Sequence, residues 1–127
     1  MTETTTNGRV LGRGEILEAL WAWPKPVRVE VPTLDGAVYV RMLTAAEKDR
    51  FEAASVRYVD GKAEACLENV RARLVGLCAC NEGGGRLFTD DDVDSLGDLP
   101  ASLIDPIFEA AQKVNGMGRS REEAAKN

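Results

Sequence analysis

The chain contains no histidine. That absence removes the imidazole that pairs with a serine or cysteine nucleophile, and it takes away the commonest zinc ligand. Cysteine is also scarce: Cys66, Cys78 and Cys80 are an odd number, without the spacing of a secreted disulfide framework. They supply three thiolates where a structural zinc site needs four ligands, so they read as small buried thiols of a reducing compartment. Aromatic residues are few, at two Trp, two Tyr and three Phe. No segment approaches the roughly 18 continuous apolar residues of a membrane helix, and the start lacks the basic-then-apolar pattern of a secretory signal. A cytoplasmic protein without a membrane partner is expected. The 16 basic residues fall short of the 21 acidic ones, and a net charge of -5 disfavours a protein that tracks a nucleic-acid backbone.

What is present is enough for one domain with a real core. A chain of 127 residues buries roughly two thirds of its unfolded surface. Residues 1–14 are polar and glycine-punctuated, which predicts a flexible leader. Ile16, Leu17, Leu20 and Trp21 recur at helical spacing, and Pro24 and Pro26 stop that short helix. Val27, Val29 and Val31 then alternate with Arg28 and Glu30, and Val38, Val40 and Met42 alternate with Tyr39 and Arg41. This predicts a β-hairpin. With Asp35-Gly36 as a two-residue turn, Val31 would face Val40, Val29 would face Met42, and Glu30 would meet Arg41.

Beyond the hairpin the pattern becomes helical. Thr44 and Glu47 form a capping box, which predicts a helix over 44–59 ending at Asp60-Gly61. Leu67, Val70, Leu74 and Leu77 make a narrow apolar stripe on a second helix over 62–80, with Arg71 and Arg73 off it. Thr89 and the following aspartates start a short helix over 90–96. A last helix over 101–115 carries Leu103, Ile104, Ile107 and Phe108. Pro106 either opens it after Asp105 or kinks it, and Asn115-Gly116 closes it. The expected fold is α+β: an N-terminal short helix and an antiparallel hairpin packed on a mainly helical domain of about four helices. It would span residues 15–116, with 117–127 as a charged, mobile tail.

The glycine-rich run at 81–96 invites a calcium-loop reading, and its positions refuse it. With Asn81 first and Asp92 twelfth, positions three and five are Gly83 and Gly85, and Arg86 stands where the sharp turn requires glycine. A glycine-rich turn feeding an aspartate-rich helix start explains every residue without a metal, with residues 86–88 either pairing briefly or packing. No cofactor is indicated, since the glycines lack a phosphate-loop pattern and no carboxylate pair stands out as an acid–base couple. The chain reads as non-catalytic. Partner binding is the remaining use of its unusual surface. Trp21 and Trp23 lie beside a proline elbow, and the hairpin carrying Val38, Val40 and Met42 offers open edges. These five residues are the candidate contacts, against a purely structural role.

The order of hairpin, TAAEKDRFEA, RARLVGLCACNEGGGRLFTDDDVDSL and LIDPIFEAAQKVNG resembles the tail-assembly chaperones of long-tailed phages and prophages. The likeness covers residues 27–116. Its most specific parts are R-x-x-L-V at 71–75, G-x-R-L-F-T-D-x-D-V at 84–93, and Asn115-Gly116. The chain departs from the pattern at Cys80-Asn81-Glu82, where such sequences often carry an acidic residue before the turn. The resemblance implies a non-catalytic assembly factor in the host cytoplasm that binds the tape-measure protein, brings tail-tube subunits to it and is absent from the finished virion. Lys126-Asn127 is compatible with a slippery heptamer, and such families commonly make a frameshift-extended form. The alternative is a structural tail component retained in the particle.

Overall fold

The computed structural model describes residues 8–22 and 25–117. The architecture is α+β: a short N-terminal helix, a β-hairpin and then helices around one core. Helix α1 (Arg13–Glu18) runs into a 3-10 turn (Ala19–Ala22), and no residue of α1 is buried. Strands β1 (Val27–Val31) and β2 (Gly36–Val40) pair antiparallel.

The hairpin is present, but its register differs from the predicted one. Val27 stands opposite Val40, Val29 opposite Val38, and Val31 opposite Gly36. The reason is the turn. Pro32–Leu34 form a 3-10 turn and Asp35 adopts a left-handed φ of 52°, so Asp35-Gly36 is the exit of a wider loop, not a two-residue turn. The slip is even, so the valines keep the predicted face despite their changed partners. Arg41, released from Glu30, turns to Glu47 instead.

Helix α2 (Ala45–Ala54) begins at the predicted capping box. The Glu47 amide donates to the Thr44 hydroxyl at 3.1 Å, and the Thr44 amide donates to the Glu47 carboxylate at 2.9 Å. It ends at Ala54, well short of 59. Val56–Val59 form β3 and Lys62–Ala65 form β4, a second antiparallel hairpin where two helices were expected. Asp60 and Gly61 have φ of 53° and 79°, the paired positive values of a two-residue hairpin turn.

Helix α3 is therefore short, Val70–Cys78, and Leu67 lies outside it, exposed. Its predicted narrow stripe is also corrected: Ala72, Leu74, Val75, Gly76, Leu77 and Cys78 are all buried. The half of the helix after Arg73 is apolar all round and belongs at the centre, and α3 packs against α2, against α4 (Val93–Gly97) and against α5 (Ala101–Val114). Strand β5 (Ala79–Cys80) continues directly from α3 and joins β2, so the sheet has the order β1-β2-β5.

Pro106 lies inside α5, so it neither opens the helix nor leaves Asp105 as a cap. A proline there deprives the Ser102 carbonyl of its usual amide donor, and the Thr33 hydroxyl approaches that carbonyl at 3.5 Å. Asn115 does more than close α5. Its side-chain oxygen accepts the Leu43 amide at 2.8 Å and its nitrogen donates to the Ala111 carbonyl at 2.9 Å, fastening the end of α5 to the segment after β2.

Candidate partner-binding site

Three segments distant in sequence meet around an apolar groove of about 490 Å³. Its floor is the core itself: Val31, Val75 and Ile104 are buried. Its walls come from the hairpin tip (Leu34, Val38), from Phe88 and Leu99, and from Leu103 of α5. Leu34 is 64% exposed and Leu99 40%, so the apolar walls continue to the surface. Among the described residues no charged side chain lines it. Volume and lining suit an apolar ligand group or the side chains of a docked segment.

One wall of the groove is positioned next to the end of α3. The last carbonyls of a helix lack intrahelical donors, and here they receive arginines from both directions of the chain. Arg86 donates twice to the Gly76 carbonyl, at 3.0 and 2.8 Å. Arg41 donates to the Leu77 carbonyl at 2.6 Å through its side chain and to the Cys78 carbonyl at 3.0 Å through its amide. Positive charge at a helix C-terminus is also favoured by the macrodipole. Arg86 thus fixes residues 86–88, and with them Phe88 in the groove wall. Asn81 shapes the turn before it, its side-chain oxygen accepting the amides of Gly83 and Gly85 at 2.9 and 3.0 Å. That oxygen, first in the calcium-loop alignment, is occupied by the backbone. Among the described residues no group of three or more Cys, Asp or Glu is arranged to hold a metal ion.

Arg41 also forms a two-pronged ion pair with Glu47, at 3.0 and 2.7 Å. Burial works against ionisation of Glu47, but the Arg41 hydrogen bonds and charge and the Thr44 bonds outweigh it and bring its pKa down to about 2. The same hydrogen bond raises the pKa of Arg41. Burial pushes the Cys78 thiol up to about 12 and raises Cys80 as well, so both are packing groups with little thiolate character. Cys66 is only half-buried.

The five predicted contact residues are not brought together. Val38 alone lines the groove. Val40 is fully buried because its side chain packs into the core, and β5 pairs with the edge of β2 at Tyr39 and Val40, which closes that edge to a partner. Met42 is half-buried beyond the end of β2. Trp21 belongs to the turn after α1, and Trp23 lies outside the described residues. What sequence reasoning missed are Leu34, Phe88, Leu99 and Leu103, whose convergence depends on the tertiary fold. The one available signal was Leu34, a large apolar residue inside a turn.

Among the described residues no helix is long and apolar enough to cross a membrane. No protein-family model, curated protein or solved structure matches the chain.

Proposed function

We propose that this chain is a non-catalytic tail-assembly chaperone of a long-tailed phage or prophage, which keeps apolar helical segments of the tape-measure protein in solution and brings tail-tube subunits to them in the host cytoplasm. The observation that carries the proposal is the apolar groove beside the residues that make the family pattern. Leu74 and Val75 of the first motif lie in α3, Arg86, Phe88 and Val93 of the second pack or bond around its C-terminal half, and Asn115 closes α5 against the same region. A rigid frame with an apolar slot open to solvent suits reversible binding of a hydrophobic segment, and a frameshift-extended form would add a second contact with the effective-concentration advantage of linkage.

The test is co-expression with the long helical gene product encoded downstream. The chain is expected to move that product from the pellet to the supernatant and to co-purify with it. Mass spectrometry of purified particles separates the alternative, since abundant copies in the virion would make the chain a structural tail component. Reading the coding DNA at Lys126 for a slippery heptamer followed by an open frame one base back tests the extended form.

A further inference from the structure

The groove is bounded by aspartate. Residues 31–38 and 88–107, which supply most of its walls, contain seven Asp and neither Lys nor Arg. Some have internal partners: Asp90 pairs with Arg86 at 3.2 Å, Asp105 with Arg71 at 3.0 Å, and Asp94 accepts from Asn69. Asp35 and Asp98 are exposed, and no basic side chain pairs with either among the described residues. Asp35 sits between the lining residues Leu34 and Gly36, and Asp98 adjoins Leu99. An apolar slot thus opens beside the exposed negative charges of Asp35 and Asp98, while Arg71 and Arg86 are each held in an ion pair with a neighbouring aspartate.

We infer that the groove selects an amphipathic helix whose apolar face is flanked by lysine or arginine, a client segment of basic character. The inference rests on the chaperone reading above and specifies its ligand. Apolar contact supplies the attraction, and the charge of the rim selects among apolar helices and steers the encounter. The chain's own exposed helix is the wrong ligand by the same criterion. Helix α1 presents Ile16 and Leu17 to solvent, but it carries one Arg against two Glu, so an acidic rim repels it. A second copy of this acidic chain meets the same repulsion, since its net charge is -5.

The experiment uses the full chain and two labelled peptides of about 20 residues, long enough for a helix to form on binding. Both carry leucines on one face, and the remaining positions are lysine in one peptide and glutamate in the other. Fluorescence anisotropy is expected to show the lysine peptide binding at least about tenfold tighter, with an affinity that falls as salt is added. Leu34→Glu and Leu99→Glu change exposed side chains, so circular dichroism should show a native fold while each weakens the lysine peptide by about tenfold or more. The double variant Asp35→Asn, Asp98→Asn should weaken it several-fold and flatten the salt dependence. Equal affinity for the two peptides, or full affinity in both leucine variants, overturns the inference. So does a concentration-dependent dimer in sedimentation that Leu99→Glu abolishes, which would make a second copy the occupant. Tighter peptide binding by Leu17→Glu would do the same for α1. The leucine variants also go into the tape-measure co-expression. If they solubilise the client as well as the parent does, the groove assignment falls and the chaperone reading stands. If the parent leaves the client insoluble yet binds the lysine peptide in the groove, the chaperone reading falls and the groove's selectivity stands.

Discussion

Two hairpins, each containing Asp-Gly, behave in opposite ways. The first, β1–β2, buries Val31 and Val40 in the core and joins a three-stranded sheet. The second, β3–β4, is almost wholly exposed and among the described residues pairs with no other strand. In the first, Asp35 is a single left-handed residue ending a 3-10 turn, whereas in the second Asp60 and Gly61 are both left-handed and make the tight two-residue turn. The same dipeptide performs different work because the flanks decide. Pro32 fixes the first turn, while Val59 and Lys62 pair directly across the second. Each hairpin is also moored by one arginine: Arg41 joins the first to Glu47 and the Leu77 carbonyl, and Arg73 of α3 holds the two ends of the second, donating to the Ser55 hydroxyl at 3.1 Å and to the Cys66 carbonyl at 3.1 Å.

The comparison can be broken most forcefully at the arginines. Arg41→Met leaves Glu47 and the Leu77 carbonyl without their partner and is expected to cost about 3 kcal/mol in global stability by denaturant unfolding. Arg73→Met should instead speed amide hydrogen exchange in residues 56–66, with a global loss of about 1 kcal/mol or less. Next come the strand valines. Val40→Ala empties a fully buried site and should cost about 2 kcal/mol, while Val59→Ala at a site 41% exposed should stay within about 0.5 kcal/mol. Acid sharpens the contrast further. Glu47 has a folded pKa near 2 against an ordinary 4.5, so its contribution is complete above about 4.5 and is lost as the pH falls toward 2. A melting-temperature profile should therefore drop through that window in the parent and drop less in Glu47→Gln. The exposed turn gives a local effect: Gly61→Ala forces a side chain onto a φ of 79° and should cost about 1 kcal/mol, read as fraying of β3–β4.

These contrasts explain what could be read in the chain. The first hairpin was legible because its valines alternate over a long enough run, and the even register slip preserved the buried face although the turn was misjudged. The Thr44–Glu47 box was legible because capping is local. The second hairpin was not, since Phe51, Ala54 and Tyr58 continue a helical spacing across Ser55, and Asp-Gly suits a helix end as well as a strand turn. Helix α3 looked like a stripe because Ala72, Gly76 and Cys78 are small and stand out less than the leucines, yet all three are buried. Of the groove only Val31 and Val38 stood on strands that could be foreseen. Phe88 enters it through a turn shaped by Asn81 and Arg86, Leu99 through the link after α4 and Leu103 from α5, and no short-range pattern reports that meeting.

The double arginine cap on α3 has a consequence for the order in which the chain can become stable. One cap comes from 36 residues earlier and the other from 10 residues later, while the Asn115 clamp reaches back 72 residues to Leu43. As the polypeptide leaves the ribosome, the central helix can start to coil, but its final turn remains open until Arg86 has emerged, and the frame is unlocked until Asn115 follows. The nascent protein should therefore gain protease resistance late and in one step, when almost all of the domain is outside the exit tunnel.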